Sequence, residues 1–459
     1  MNSLAQAHHP KQAAQLPDWI STVMCIIFAL LWGILMLPHT LFWRNTCYVA
    51  GACLGLYVII KNMPLLRQKV AAPLWIILGL FAWALFHYFF IGKNSAIGLE
   101  ELLSIWKRAA LGCIFAIGLG IAISSTAHKL SWTIIAVGLL TPVLIYFIKY
   151  FFTFIAPALG YLAPHFLTLY HSGESSSFYI AKIAYVFFCL PTLAVALGML
   201  AANIKSGGDT KKNCICAFVI IAVLGVFYLE NIKNGFMFAL FLFSLFFASL
   251  LSSGLRKISR LQWLFIGILV GSAGLFFNQN VQNNDSWRTL IADAKVASKI
   301  DQNDVWKYGR PELYPQNEFG KAVSNTNYER ISWGIEAMRL IKENPLGYGA
   351  VLASFRHLTK EKWPDSSLTQ SHSGWLDLTL GIGIPGVVLL IAATLFAIRN
   401  AMSLPLPWSV FGVWVLVSIL ILFTTTEVSQ KVYVDTFVWL VAFVAALALP
   451  KSIQPKYVN

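Results

Sequence analysis

The chain alternates long apolar runs with short polar stretches, and one long polar stretch, about residues 279–371, interrupts the pattern. A helix needs about 20 mostly apolar residues to cross a bilayer. Runs that meet this criterion occur twelve times, at about residues 19–38, 45–61, 72–92, 108–125, 131–152, 178–201, 213–230, 236–253, 261–278, 375–398, 407–424 and 431–449. The pattern predicts an all-α polytopic membrane protein with about twelve transmembrane helices.

Composition agrees with this prediction and excludes other classes. Hydrophobic residues make up 58% of the chain and charged residues only 12%, whereas soluble domains carry about 25% charged residues. The net charge of +14 raises the question of nucleic acid, but the basic residues are spread over short loops instead of forming one face. We therefore expect contact with membrane lipids and no nucleic-acid partner. The seven cysteines lie in or beside the apolar runs, which argues against a disulfide framework.

Lysine and arginine in the short loops predict the orientation, because cytoplasmic loops are enriched in them. With a cytoplasmic N-terminus, the inside loops and the C-terminal tail hold Lys61, Arg67, Lys69, Lys129, Lys205, Lys211, Lys212, Arg256, Lys257, Arg260, Arg399, Lys451 and Lys456. Both termini are then cytoplasmic and the polar stretch lies outside. We divide the chain into an N-terminal membrane region (1–278), an outside segment (279–373) and a C-terminal membrane region (374–459).

The outside segment contains one clear amphipathic helix, over residues 328–343, where apolar side chains recur at helical spacing. These side chains are Ile331, Ile335, Met338 and Ile341. Asn327 is its expected N-cap, and the helix should end before Pro345. Such a helix is suited to lie along the membrane surface. A shorter helix is expected near 286–300.

Five basic or titratable residues fall at the outside border of the membrane in this topology. Lys107 and Arg108 begin the fourth predicted span, Lys233 begins the eighth, Arg330 lies on the amphipathic helix and His372 precedes the tenth. Each also has an ordinary explanation. The lysines and Arg108 can extend to lipid headgroups, Arg330 can pair with a nearby carboxylate, and an interfacial histidine often only hydrogen-bonds a loop.

The order of motifs in this region resembles the O-antigen ligase family, together with polysaccharide polymerases and bacterial O-oligosaccharyltransferases. The resemblance spans roughly 60 residues and rests on Arg330, Trp333, Pro345-Leu346-Gly347-Tyr348-Gly349, His372, Leu376, Gly383 and Gly386. Two positions depart from the family pattern. Ser373 follows the histidine where relatives have asparagine, and Lys233-Asn234-Gly235 stands where they have a second arginine.

The resemblance implies transfer of a glycan from undecaprenyl pyrophosphate to an acceptor hydroxyl on the periplasmic face of a bacterial inner membrane. His372 is then the candidate general base, and Arg330 the candidate for bidentate binding of pyrophosphate oxygens. Lys233, Arg108 and Lys107 are further candidates for binding phosphate. Tyr348 and Arg356, with His357, are candidates for an acceptor cleft.

The leading hypothesis is an O-antigen ligase that uses lipid A-core oligosaccharide as acceptor. We expect no cofactor and no metal, because the chain has no Asp-x-Asp motif. Inversion at the sugar carbon is expected, because no carboxylate nucleophile adjoins His372; Asp377 lies five residues on. A repeat-unit polymerase and a protein O-oligosaccharyltransferase remain alternatives with the same chemistry, and a solute transporter or lipid flippase is an alternative from another class.

Overall fold

The computed structural model describes residues 16–125, 129–170, 175–252, 260–283, 285–352, 354–425 and 431–449. Within these ranges the protein is helical and contains no β-strand, and one isolated bridge joins Gln316 to Ala322. The α-helices are α1 (Asp18–Ile34), α2 (Leu41–Lys61), α3 (Ala72–Phe90), α4 (Ser95–Glu101), α5 (Lys107–Ser125), α6 (Lys129–Tyr150), α7 (Lys182–Lys205), α8 (Thr210–Leu229), α9 (Lys233–Leu251), α10 (Arg260–Gln282), α11 (Asp285–Arg288), α12 (Leu290–Ala297), α13 (Asn325–Glu343), α14 (Ser354–Lys362), α15 (Gly374–Ala401), α16 (Trp408–Leu422) and α17 (Lys431–Leu447).

The predicted fold class is confirmed. A helix coincides with each of the twelve predicted apolar runs, namely α1 to α3, α5 to α10 and α15 to α17. Seven helical stretches are long and apolar enough to cross a membrane by length and composition, and α1, α16 and α17 contribute shorter apolar helices. The protein is therefore a polytopic helical membrane protein. All seven cysteines are free.

The membrane core is centred on α7 and α17. From Val432 to Leu449 every side chain is buried, and 89% of the most apolar stretch of α7 is buried inside the protein. Helices this apolar on all sides belong in the interior of a bundle. They fix the positions of the peripheral helices, whose outer faces remain available to lipid.

The polar segment has a core of its own, and α13 supplies one side of it. The buried residues of α13 include Tyr328, Trp333, Ala337 and Leu340, while Met338 is half exposed. The aromatic face of α13 therefore packs inside the polar segment, and the location of the helix at the membrane surface stays a prediction.

The predicted N-cap of α13 is wrong. Ser324 precedes the first turn, and Asn327 lies inside the helix, where its side chain makes other hydrogen bonds. The predicted end is confirmed, since α13 stops at Glu343, two residues before Pro345.

Helix α15 is broken at Gly383, whose backbone has φ 73° and ψ 172°. A broken helix in a membrane must have its freed backbone groups satisfied by protein. Here the carbonyls of Leu380 and Gly381 accept hydrogen bonds from the backbone N–H groups of Tyr348 (2.7 Å) and Gly349 (2.9 Å). The turn that follows α13 therefore completes the hydrogen bonding of α15.

Two further bonds close the same break. The indole of Trp83 on α3 donates to the Ile382 carbonyl (2.7 Å), and the N–H of Ile384 donates to the Pro345 carbonyl (2.9 Å). The turn thus binds α15 on both sides of Gly383.

Glu101 joins this region to the start of α5. Its carboxylate is buried, with the residue only 3% exposed, and accepts the backbone N–H groups of Val351 (2.8 Å) and Leu352 (2.7 Å). The first turns of α5 therefore lie at the same end of the bundle as the polar segment.

Replacing Gly347 with alanine should destabilise the protein. Gly347 has φ 87°, and an added Cβ would lie 2.5 Å from the Gly383 nitrogen and 2.6 Å from the Gly381 oxygen. The strained φ alone costs about 2 kcal/mol. Thermal unfolding of the detergent-solubilised protein, followed by size-exclusion chromatography, should show a clear fall in melting temperature.

Gly79→Ala is the matched control, because a Cβ at that position of α3 has no neighbour within 4 Å. It should leave the melting temperature unchanged or raise it slightly, since alanine favours helix. Equal melting temperatures for the two variants would contradict the described role of the turn.

Candidate functional site

A cationic pocket of about 470 Å³ lies where the start of α9 meets α11 and α13. Its polar lining comprises Lys233, Asn234, Ser286, Thr326, Asn327, Arg330, Thr424 and Thr425. Its apolar lining comprises Met237, Phe238, Phe241, Trp287, Leu290, Ile331 and Ile421. The pocket therefore has a polar end and an apolar wall that continues along α9.

Two cations of this pocket are oriented by hydrogen bonds to polar side chains. Arg330 Nη1 donates to Asn234 Oδ1 at 2.7 Å, and Lys233 donates to the Ser286 hydroxyl. Lys233 and Arg330 are close enough to repel each other, so an anion with several oxygens fits between them.

Lys233 is one of the two departures from the family pattern, and it lies at the start of α9 beside Asn234. Relatives have an arginine in this region, whereas here the lysine begins α9 and the next residue, Asn234, binds Arg330. Lysine supplies a point charge without the planar fork of arginine. Arg330 is therefore the side chain of this pocket that can bind two oxygens of one ligand in parallel.

A buried carboxylate organises the wall of the pocket. Asp293 is fully buried and accepts hydrogen bonds from Thr289 Oγ1 (2.7 Å), Asn317 Nδ2 (2.9 Å), Asn327 Nδ2 (2.9 Å) and the Ser324 N–H (3.2 Å). A carboxylate with several donors of this kind is stable in a protein interior. Asp293 thereby ties α12 to the start of α13.

Asn327 connects Asp293 to the pocket through hydrogen bonds. Besides Asp293, its amide binds the Ser286 carbonyl at 2.7 Å, and the Ser286 hydroxyl receives Lys233. The sequence pattern does not indicate this role. Three of the four donors to Asp293 lie 24 to 34 residues further along the chain, so their pairing depends on the folded segment.

His372 contacts α13 at Trp333, one turn along from Arg330, and is not among the described residues that line the cationic pocket. The imidazole and indole rings are stacked, with centroids 5.1 Å apart and planes inclined by 10°. Trp333 is fixed by its own hydrogen bond to the Trp306 carbonyl (3.0 Å). Residues three apart share a helix face. The Arg330 guanidinium and the Trp333 ring, on which His372 is stacked, therefore lie on one side of α13.

The backbone of His372 is in the left-handed region, with φ 57°. Residues other than glycine rarely adopt this conformation, and such strain is concentrated at functional sites. The neighbouring residues hold it in place. Ser371 donates to Asp377 Oδ1 from its N–H (3.0 Å) and its hydroxyl (2.7 Å), so this buried carboxylate positions the loop.

Ser373, the second departure from the family pattern, is the N-cap of α15. Its side chain accepts the N–H of Leu376. Serine and asparagine are both strong N-cap residues, so the local structure accommodates either one. The departure therefore leaves the loop around His372 intact.

Lys107 and Arg108 lie in a different groove from Arg330. Their groove runs between α2 and α5 and shares no lining residue with the cationic pocket. Arg108 Nε forms an ion pair with Asp435 Oδ2 on α17 at 3.1 Å. Loop charges predict that Lys107, Arg108, Lys233, Arg330 and His372 lie on one side of the membrane at a similar depth. The structure places Lys107 and Arg108 in a groove that is laterally separate from the cationic pocket.

Tyr348 and Arg356 occupy opposite environments. Tyr348 is buried, and its ring is stacked on His357 with centroids 5.3 Å apart. Arg356 is exposed on α14. Partial burial, together with the charges of Arg356 and Lys360, lowers the pKa of His357. The residue that a ligand reaches on this surface is Arg356, while Tyr348 supports the turn between α13 and α15.

Together these features define a class of protein: a polytopic helical membrane protein whose polar segment encloses a cationic pocket at one membrane border. Residues 181–391 match the family model for O-antigen ligase. This match confirms the resemblance to the O-antigen ligase family over these residues. The match includes Lys233, Arg330 and His372, whereas Lys107 and Arg108 lie outside it. No curated protein matches the chain significantly.

The match supports, in general terms, an enzyme of the O-antigen ligase or polymerase type that works in a membrane on lipid-linked glycans.

Replacing Asp293 with alanine should disorder the wall of the pocket. The change leaves the buried partner groups without their acceptor, at a cost of about 3 kcal/mol. Limited proteolysis should then cut the polar segment faster, and the melting temperature of the solubilised protein should fall.

Asp304→Ala is the control, because the Asp304 side chain is 62% exposed and pairs with Lys307 at the surface. Exposed ion pairs contribute little to stability, so this variant should behave as wild type. Equal proteolysis of the two variants would show that Asp293 does not organise the segment.

Proposed function

We propose that this protein transfers O-antigen polysaccharide from undecaprenyl pyrophosphate to lipid A-core oligosaccharide on the periplasmic face of the bacterial inner membrane. The observation that supports it most directly is that two cations, Arg330 and Lys233, line one pocket, while His372, with its left-handed backbone, is stacked on Trp333 one turn along α13 from Arg330. Both termini are cytoplasmic in this proposal, and the polar segment faces the periplasm.

The donor lipid occupies the cationic pocket in this proposal. Its pyrophosphate lies between Arg330 and Lys233, and its apolar chain follows Met237, Phe238 and Phe241 along α9. The pocket supports this placement because Arg330 and Lys233 both line its polar end. Its apolar wall starts at the same point and leads toward the membrane.

His372 is the general base. The acceptor hydroxyl oxygen attacks the anomeric carbon while the bond from that carbon to the pyrophosphate oxygen breaks. The pyrophosphate leaves with the electron pair, and the hydroxyl proton passes to the His372 imidazole. Arg330 and Lys233 stabilise the charge that develops on the leaving group, which is commonly a large contribution to catalysis. A single displacement of this kind inverts the sugar carbon and uses neither metal nor cofactor.

The acceptor approaches from the surface of α14, where Arg356 is exposed. Tyr348 contributes by holding the turn beside that surface. Lys107 and Arg108 remain candidates for binding a lipid phosphate, in their own groove.

Replacing His372 with asparagine should abolish transfer while preserving the fold. Asparagine tolerates the left-handed backbone conformation of this position but provides no base. General-base catalysis contributes about 100-fold or more. In a deletion host, the variant should fail to restore the lipopolysaccharide ladder above lipid A-core that wild type restores.

His39→Asn is the matched control, because His39 also has a positive φ, 58°, and is exposed in the turn between α1 and α2. It should restore the ladder fully. A fully active His372→Asn protein would exclude the general base. A deletion host that accumulates core bearing one repeat unit would indicate a polymerase instead of a ligase.

Replacing Arg330 with lysine should weaken donor binding, because lysine keeps the charge but loses the bidentate geometry. We expect KM for the lipid-linked donor to rise by about tenfold, which corresponds to about 1.4 kcal/mol. Lys233→Arg should keep KM near the wild-type value, since the positive charge is retained. Kinetics in membranes with graded donor concentrations measure both effects.

Arg339→Lys is the control for this exchange. Arg339 binds both oxygens of Asp301 at the surface of the polar segment (2.7 and 2.8 Å), so its replacement also removes a bidentate contact, but outside the pocket. KM should not change. A larger effect of Arg339→Lys than of Arg330→Lys would contradict the assignment of the donor site.

A further inference from the structure

We propose that the start of α5 is a second lipid site, which binds a lipid with a net negative phosphate headgroup and two or more acyl chains. The inference does not rest on the glycan transfer proposed above. It begins from two grooves that flank α5. One, of about 530 Å³, lies between α2 and α5, and the other, of about 490 Å³, lies between α3 and α5. Lys107 lines both of them.

The walls of both grooves are apolar. Leu41, Val49 and Leu103, which are 50% to 58% exposed, line the first groove, and Leu78 and Leu85 (54% and 49%) line the second. Side chains of this kind, exposed on helices of membrane-spanning length, face lipid. The grooves are therefore accessible from the bilayer.

The length of the second groove suits an acyl chain. Its lining on α5 extends from Lys107 to Ile117, which corresponds to about 15 Å at the rise of an α-helix. The lining of the first groove on α5 extends from Lys107 to Leu111, or about 6 Å. A headgroup at Lys107 therefore leaves room for the upper part of one chain on each side of α5.

The charges at the head of these grooves favour an anion. Among the described residues, Lys107 has no hydrogen-bond or ion-pair partner. Arg108 Nε pairs with Asp435, while its buried Nη2 has no hydrogen-bond acceptor in the described part of the chain. Arg44 is an electrostatic neighbour of Arg108 and Asp435. Arg108 and Arg44 thus lie near one carboxylate, and Lys107 adds a third positive charge at the groove.

Polar groups that suit phosphate oxygens lie beside these cations. Asn45 and the Ser104 hydroxyl line the first groove together with Lys107 and Arg108. Basic residues at a membrane border attract anionic lipid, and here the polar head of the site continues into two apolar grooves.

This arrangement differs from the cationic pocket at Arg330, which has one apolar wall along α9. A single-chain polyprenyl lipid would fill only one of the two grooves beside α5. A bilayer phospholipid and a multi-acyl acceptor glycolipid share the chemistry that the second site requires, namely a phosphate and at least two chains.

Native mass spectrometry of the purified full-length protein tests this site. The protein is exchanged into phosphatidylglycerol, phosphatidylcholine or lipid A, and the lipids retained on it are counted. Wild type should retain phosphatidylglycerol over phosphatidylcholine. Lys107→Gln should lower that retention by about fivefold, since one lysine near a membrane surface contributes about 1 kcal/mol. Val49→Trp, which fills the first groove without changing charge, should also lower it.

Two matched controls accompany these variants. Lys61→Gln removes an exposed lysine at the other end of α2, and Val137→Trp adds a tryptophan at an exposed position of α6 outside both grooves. Both should retain lipid as wild type does. Because all four positions are exposed, melting temperatures should remain near the wild-type value.

The arms of the experiment distinguish the source of the ligand. Stronger retention of lipid A than of phosphatidylglycerol identifies the acceptor glycolipid, and equal retention identifies a bilayer phospholipid. Equal retention of phosphatidylcholine and phosphatidylglycerol would overturn the proposal, as would unchanged retention in Lys107→Gln. If millimolar inorganic phosphate displaces the lipid equally from wild type and Val49→Trp, the site binds phosphate alone and the two-chain assignment is wrong.

Discussion

The hydrogen bonds between the broken helix α15 and the turn at Pro345 to Gly349 are the constraint on which the site depends. A helix interrupted within the membrane requires partners for its freed carbonyls, and here Tyr348, Gly349 and Trp83 supply them. The turn follows α13 directly. Its attachment to α15 therefore fixes the helix that carries Arg330 and Trp333 against the helix that His372 precedes. Glycine at position 347 is necessary because backbone atoms of α15 occupy the space of a side chain.

A second feature that organises the structure is the set of hydrogen bonds made by its buried charged side chains. Buried carboxylates serve as structural acceptors: Asp293 orders the pocket wall, Asp377 holds the loop at His372, and Glu101 anchors the segment after the turn. In the cationic pocket, Asn234 orients Arg330 and Ser286 orients Lys233. Two positive side chains therefore line the pocket in which the proposal places the pyrophosphate.

Much of the fold follows from hydrophobicity. The twelve apolar runs coincide with helices. A run of apolar residues that is long enough to cross a membrane indicates both the length of a helix and its removal from water. Lys107 and Lys233 begin helices as expected. Loop charges predict the side and depth of a residue but contain no information on lateral position, so the separation of Arg108 from Arg330 was not predictable. Ser324 and Asn327 are both good N-caps, and the choice between them depends on Asp293, which lies 34 residues before Asn327. The break at Gly383 and the bond from Arg330 to Asn234 likewise depend on tertiary contacts.

The central proposal is glycosyl transfer at the cationic pocket that Arg330 lines, with His372 as the base. Its most direct test is reconstitution of the purified protein with a defined glycan on undecaprenyl pyrophosphate and with lipid A-core, followed by nuclear magnetic resonance of the product. The account predicts a new glycosidic bond with inverted anomeric configuration and one released undecaprenyl pyrophosphate for each bond formed. Retention of configuration would contradict the single displacement, and intact donor that has only changed leaflet would show that the protein moves lipid without chemistry.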